Sequence, residues 1–138
     1  AGLLRLKKYL RYARRVSPEV ILPAVGQASL ALEARIDDTE TVKILKALNH
    51  ANTEREALAE RNLLNILRGG CRVPVGVYSK MKSGLLEMKA AVFSVKTARC
   101  VQAQAKGPAE RFLDVSTKLA GRLFKKGARK LLKEARSR

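Results

Sequence analysis

Cys71 is the residue whose type and surroundings most favour covalent chemistry. It follows Gly69 and Gly70 and is flanked by Arg68 and Arg72. Two glycines allow a tight turn without side-chain obstruction, and neighbouring cations favour the thiolate, which is the reactive form of cysteine. Two interpretations follow: Cys71 is a small packing residue in a turn, or it is a point of chemical attachment.

The other cysteine and the histidine indicate no second reactive site. Cys100 lies in a segment that alternates like a strand, so we interpret it as a packing residue. His50 is the single histidine of the chain, and we expect it at a helix end. Zinc usually takes three or four Cys or His ligands, so neither a metal site nor a disulfide framework is predicted.

The net charge of +17 is concentrated at the two ends of the chain. Residues 1–15 contain six basic and no acidic residues, and residues 116–138 contain nine basic residues and one acidic residue. A charge of this size favours polyanionic partners. A base-stacking surface, however, needs aromatic side chains, and these form only 4% of the sequence. The sequence therefore does not favour nucleic acid as a partner, and the basic ends are interpreted as solvated faces or covers for acidic domains.

Membrane and export signals are not predicted. No apolar run approaches the roughly 20 residues that span a bilayer. Basic residues also interrupt the N-terminal apolar stretch, so it does not resemble a secretory signal. We expect a cytoplasmic, reducing setting.

Hydrophobic periodicity predicts the elements that position these residues. Asp37, Asp38 and Thr39 supply helix-capping chemistry, and Gly69 and Gly70 are predicted to end a helix. The predicted elements are an amphipathic helix over 1–16, a strand over 29–36, two helices within 40–67, strands over 75–81, 85–95 and 98–106, and one helix over 109–135.

This order predicts the α+β fold class: helix, three-stranded antiparallel sheet and helix form a C-terminal domain over residues 37–138. Residues 1–36, with a helix and a returning strand, are interpreted as a remnant of N-terminal domains. Double-stranded-RNA-binding domains share the α-β-β-β-α order, so a basic RNA-binding module is the alternative interpretation. The loops lack the glycine-proline-histidine signature of that family.

The residues themselves resemble a different family. The segments "LPAVGQ" at 22–27 and "LNHANTEREALAERNLLNILRGGCRVPVGVY" at 48–78 are similar to hydroxymethylbilane synthase, also called porphobilinogen deaminase. "AGLLRL" at the start and, more weakly, "KKGARKLLKEA" near the end extend the resemblance along the chain. The glycine-glycine-cysteine-x-valine-proline element is specific to that family, whereas the helical leucines are not.

The resemblance implies a role for Cys71: a thioether to a dipyrromethane cofactor, on which four porphobilinogen units are polymerised in tetrapyrrole and haem biosynthesis. A tethered primer makes each addition effectively intramolecular. The resemblance also implies that Arg5 binds cofactor carboxylates and that Gly26 and Gln27 line the cleft. The implied partners are porphobilinogen, the growing tetrapyrrole and the N-terminal domains of the same enzyme.

The sequence departs from the family pattern at two positions, and the resemblance implies that the family's catalytic aspartate and most of its cleft arginines belong to an absent N-terminal part. Ala28 and Ser29 stand where the family usually has glycine and alanine, which puts the geometry of the neighbouring turn in question. Asp37, Asp38 and Asp114 do not match the family's catalytic aspartate. No catalytic residue is therefore assigned, and the chain alone is expected to be inactive.

Overall fold

Helices and a small sheet make up the computed structural model, which describes residues 2–7, 13–68 and 73–137. None of the helices in these ranges is long and apolar enough to cross a membrane. The elements are α1 (Gly2–Arg5), α2 (Thr39–Leu48), α3 (Ala51–Ile66), β1 (Val75–Lys82), β2 (Leu85–Phe93), β3 (Cys100–Pro108), a 3-10 turn (Ala109–Arg111), α4 (Phe112–Lys125) and α5 (Ala128–Arg136).

The three strands form one antiparallel sheet in the order β1-β2-β3. Val77 lies opposite Ala90, which lies opposite Ala103, so one face of all three strands is apolar. Helices α3, α4 and α5 contact the sheet and share its core. The α+β class and the helix-sheet-helix order are confirmed. The largest fully buried apolar side chains are Leu63, Leu67, Val77, Leu86, Met88, Val92, Leu119 and Leu123.

The two helices before the sheet begin at side-chain caps. The Asp38 carboxylate accepts hydrogen bonds from the Thr41 backbone N–H at 3.0 Å and from the Thr41 hydroxyl at 2.8 Å. These donors, the backbone N–H foremost, lower the pKa of Asp38. His50 precedes α3, and its Nδ1 accepts a hydrogen bond from the Thr53 backbone N–H at 3.3 Å. The predicted aspartate cap and the helix-end position of His50 are confirmed.

The C-terminal helical region is interrupted, so the single helix predicted over 109–135 is wrong. The 3-10 turn leads into α4, and Gly127 separates α4 from α5 with a φ of +95°. That φ lies in the left-handed region, which glycine adopts without the cost that a Cβ brings. The break redirects the chain and still lets Leu119 and Leu132 reach the same core.

The N-terminal helix is also shorter than predicted. Among the described residues, α1 ends at Arg5 and residues 13–17 form neither helix nor strand, so the helix predicted over 1–16 is wrong at its C-terminal end. Residues 8–12 of that prediction lie outside the described residues. Leu6 is 69% exposed, and a short helix without tertiary packing is marginal in water.

The strand predicted over 29–36 is not formed. A strand is stable only when a neighbour satisfies its backbone, and no segment of the described residues pairs with this one. Leu30 and Ile36 are therefore 93% and 96% exposed.

Cys100 is exposed, so its interpretation as a packing residue is wrong. It is the first residue of β3 and lies opposite Phe93. Side chains alternate between the two faces of a strand. Because Ala103 and Ala105 point into the core, Cys100 points to the outer face.

Candidate functional site

Core residues hold the chain on both sides of the segment with Cys71. Residues 69–72 themselves, including Cys71 and the glycines predicted to end α3, lie outside the described residues. On the N-terminal side Leu67 follows α3 and is buried in the core. On the C-terminal side Val73 packs against the same core. The two flanks of the candidate attachment point are thus tied to the packed domain.

A contact from the last helix reinforces the N-terminal flank. Nη2 of Arg136, at the end of α5, donates hydrogen bonds to the carbonyl oxygens of Leu67 at 2.6 Å and Arg68 at 3.0 Å. Carbonyl groups at the C-terminal end of a helix lack intrahelical partners. A guanidinium group can bridge two of them because its N–H donors form a rigid fork.

The turn that contains Gly26 and Gln27 spans residues 25–28. Gly26 has a φ of +69°, in the left-handed region. Oε1 of Gln27 accepts a hydrogen bond from the Ala24 backbone N–H at 3.0 Å, while the Gln27 backbone N–H donates to the Ala24 carbonyl at 3.1 Å. The amide nitrogen of the exposed Gln27 side chain has no partner among the described residues, so it is available as a donor.

The chain before this turn lies against β1. The Val77 backbone N–H donates to the Pro23 carbonyl at 2.8 Å. Gly76 allows this approach, because a Cβ built there would lie 2.8 Å from the Leu22 Cβ and 3.1 Å from its carbonyl oxygen. The turn is therefore positioned by backbone contact with the sheet edge.

A buried carboxylate joins the turn to the domain. Oε2 of Glu60, on α3, accepts a hydrogen bond from the Gly26 backbone N–H at 2.8 Å. Oε1 accepts two from Ser79 on β1, at 3.1 Å from its backbone N–H and 2.6 Å from its hydroxyl. Burial raises the pKa of Glu60, although these donors act in the opposite direction. Glu60 thus connects three segments: the turn, α3 and β1.

Sequence reasoning did not single out Glu60. A glutamate in a helix is ordinarily assigned to the solvated face. Its spacing held a signal, however, because Glu60 precedes Leu63 by three positions and Leu64 by four, which is the spacing of one helix face. A charge on an apolar stripe indicates a buried acceptor.

A cavity of about 540 Å³ lies between the turn and the domain. Gln27 and Ala28 border it from the turn, and Glu56 and Glu60 border it from α3. Two carboxylates repel an anionic ligand in this wall. This wall of the cavity therefore supports the turn. A polyanionic ligand is better bound by the side-chain amide of Gln27, which is exposed to solvent.

Arg5 is exposed at the end of α1. Within the described parts of the chain, no hydrogen bond or ion pair joins Arg5 to the turn. The structure therefore brings together two of the predicted site residues, Gly26 and Gln27, and adds Glu60. It does not bring Arg5 to them.

The departure from the family pattern at Ala28 has a structural correlate. Ala28 has a φ of +71°, in the left-handed region where a Cβ crowds the backbone. Its neighbour Ser29 closes the turn with a backbone hydrogen bond to the Gly26 carbonyl at 3.2 Å. The chain thus keeps here a backbone conformation that suits glycine.

We expect Ala28→Gly to raise the free energy of unfolding by about 0.5–1 kcal/mol, because relief of left-handed strain outweighs the added freedom of the unfolded chain. Urea denaturation followed by circular dichroism measures the change. Ala24→Gly is the matched control, since Ala24 has no positive φ, and this variant should be slightly less stable. Equal effects of the two substitutions would contradict strain at Ala28.

Comparison with known proteins identifies the family. A family profile described as "Porphobilinogen deaminase, C-terminal domain" matches residues 54–125. This range includes most of α3, all three strands and α4, and it is more than half of the chain.

Individual relatives agree along the whole chain. The porphobilinogen deaminase of Desulforudis audaxviator is 42% identical over 137 residues, covering 99% of this chain and 44% of the relative. That of Chlorobium phaeovibrioides is 40% identical over 147 residues, covering 99% of this chain and 45% of the relative. The porphobilinogen deaminase of Carboxydothermus hydrogenoformans is 38% identical over 136 residues, covering 99% of this chain and 44% of the relative. The chain spans less than half the length of these curated relatives, and its match to the C-terminal profile shows that it belongs to the porphobilinogen deaminase family.

Proposed function

We propose that this chain is the C-terminal, cofactor-attachment part of a hydroxymethylbilane synthase, with Cys71 as the residue that holds a dipyrromethane through a thioether. The observation that carries this proposal is the family match over residues 54–125, which includes the Gly-Gly-Cys-x-Val-Pro element. We place the process in tetrapyrrole and haem biosynthesis and the protein in the cytoplasm.

The residues present suit such a group. The side-chain amide of Gln27 and the guanidinium of Arg5 are donors for the carboxylates of a pyrrole chain, and guanidinium groups bind carboxylates strongly. The Gly26 backbone N–H is already bound to Glu60 at 2.8 Å. Gly26 therefore shapes the turn and does not itself bind the cofactor.

When bound, the dipyrromethane supplies a primer to which porphobilinogen units are joined. The part that this chain plays is to hold and orient it. Cys71 provides the covalent tether, the packing of Leu67 and Val73 on the core limits its range, and Gln27 and Arg5 pair with acidic side groups. A tethered reactant needs no diffusional encounter at each addition.

Proton transfer is proposed to come from the rest of the enzyme. Each aspartate of the chain has a local partner: Asp37 pairs with Arg35, Asp38 caps α2, and Asp114 pairs with Arg111. None is left as a base beside the turn. We therefore propose that the N-terminal domains are obligatory partners, that residues 37–138 form the attachment domain, and that residues 1–36 belong with those domains.

A chimera tests the proposal. We expect that placing this chain in the corresponding part of the Desulforudis audaxviator enzyme yields a protein that consumes porphobilinogen and carries a dipyrromethane mass addition on Cys71. The chain alone should show no turnover, because none of its three aspartates matches the family's catalytic aspartate. Intact mass and peptide mapping locate the addition, and a colorimetric assay measures porphobilinogen consumption.

The two cysteines provide matched controls in the chimera. Cys71→Ser should abolish both the mass addition and the activity, whereas Cys100→Ser should preserve both, since Cys100 is exposed on β3. A chimera with a normal melting curve and an unmodified Cys71 would overturn the proposed attachment. Turnover by the chain alone would overturn the requirement for N-terminal domains.

A further inference from the structure

The outer face of the sheet is a basic surface, which we call the lysine face. It consists of Lys80 and Lys82 on β1, Lys89 on β2, Lys106 on β3, and Arg122 of α4 beside the last strand. Register brings them together, because Lys80 lies opposite Glu87, which lies opposite Lys106. The middle of the sequence has a small net charge. Because side chains alternate between the two faces of each strand, however, the lysines of the strands lie together on one face of the sheet.

The lysine face borders a groove of about 840 Å³. Residues 17–19 form one side of this groove, and Tyr78 and Gln104 lie among the cations. Two acidic residues line it: Glu87, which pairs with Lys106, and Glu19. Positive charge therefore exceeds negative charge along the groove, and it attracts anions.

Both edges of the sheet already have hydrogen-bond partners. On β3, Arg122 donates to the Gln104 carbonyl, and Lys126 donates to the Gln102 carbonyl at 2.9 Å. On β1, the Val77 backbone N–H donates to Pro23. A ligand of the lysine face therefore binds through side chains and does not extend the sheet as an added strand.

The chemistry of the face favours phosphate over a protein surface. Lysine is depleted at protein interfaces, whose cores are enriched in aromatic side chains, Met and Arg. Here the single large apolar side chain that is clearly exposed among the described residues of this face is Phe93, at its end. Ammonium groups are well suited to phosphate oxygens, and phosphate contacts need no apolar core.

The exposed aromatic side chains of this face decide between single-stranded and double-stranded nucleic acid. Single strands bind proteins largely by stacking bases on exposed aromatic rings. Tyr78 is half-buried, and the exposed Phe93 lies at the end of the face and does not line the groove, so the described part of this groove offers no open stacking platform. We propose that the lysine face binds the phosphate backbone of a nucleic acid duplex, without sequence preference and apart from the proposed tetrapyrrole chemistry.

Matched lysine substitutions test this proposal. The face variant carries Lys80→Gln, Lys82→Gln and Lys89→Gln. The control variant carries Lys43→Gln, Lys46→Gln and Lys118→Gln, which remove the same charge from exposed positions on α2 and α4. Fluorescence anisotropy measures the Kd for a short mixed-sequence RNA duplex over a salt series, and circular dichroism checks folding.

We expect the face variant to bind at least about tenfold more weakly at low salt and to lose about 2–3 from the slope of log K against log salt, near 0.9 for each lost phosphate contact. The control variant should stay within about twofold of the unsubstituted chain. Equal losses in both variants would overturn the proposal in favour of diffuse charge, and so would the absence of binding. Polyglutamate that binds as tightly as RNA and depends on the same lysines would overturn it in favour of an acidic protein.

Discussion

Replacing Glu60 with leucine is expected to lower the free energy of unfolding by about 4 kcal/mol, because it leaves three donors without an acceptor at roughly 1–3 kcal/mol each. The donors are the Gly26 N–H, the Ser79 N–H and the Ser79 hydroxyl. The loss of the first of these also frees the turn from the domain. Urea denaturation measures the stability, and hydrogen exchange of residues 22–28 measures the release of the turn.

Glu60→Gln removes the titratable group and also replaces one accepting oxygen with an NH2 donor, so its pH profile, and not its absolute stability, reports on the charge. Burial raises the pKa of Glu60, so the folded chain holds this proton more tightly than the unfolded chain. The contribution of Glu60 to stability is therefore largest below the usual pKa of glutamate, and it declines as the pH rises from there through the raised value.

The glutamine variant should lack this decline. Glu110→Gln, at an exposed position, is the control and should keep it. Identical pH profiles for Glu60→Gln and the unsubstituted chain would contradict the buried position of the carboxylate.

Gly76→Ala is expected to lower the free energy of unfolding by about 2 kcal/mol, within the range for overpacked sites. The added methyl group would lie 2.8 Å from the Leu22 Cβ and 3.1 Å from the Leu22 carbonyl oxygen. A backbone carbonyl cannot rotate away as a side chain can, so the segment before the turn must shift. The hydrogen bond between Val77 and Pro23 is then lengthened or lost.

Gly121→Ala is the matched control for that substitution. Gly121 lies within α4, and a Cβ built there has no neighbour within 4 Å. Alanine is a better helix former than glycine, so this variant should be more stable by about 0.5–1 kcal/mol. Opposite signs for the two glycines are the expected result in urea denaturation. If neither alanine variant lowers the free energy of unfolding, the close approach of Leu22 to β1 is contradicted.

The strands were predictable because the information for them is local. Over residues 75–82 and 85–93, side chains alternate between the two faces, and the observed bounds differ from the predicted ones by at most two residues. The caps at Asp38 and His50 are local as well, since each accepts a hydrogen bond from a backbone N–H three residues later.

The unpredicted features depend on contacts between distant residues. The donors to Glu60 are separated from it by 34 and 19 residues along the chain, so no short pattern could specify them. The failed strand over 29–36 has the right local pattern but no partner among the described residues. The attachment role of Cys71 stays a prediction, because it rests on the family resemblance and lies outside the described residues.

The hydrogen bonds from Arg136 to Leu67 and Arg68 have a consequence for folding during synthesis. They connect residues 69 and 68 positions apart, and the whole sheet lies between them along the chain. Strand β2 and helix α4 also contact α5, so both the core and this hydrogen-bonded flank wait for the last helix during synthesis. The start of the segment that contains Cys71 is therefore among the last parts of the domain to be fixed. A nascent chain thus completes its core and fixes the flank of the Cys71 segment at the same late stage.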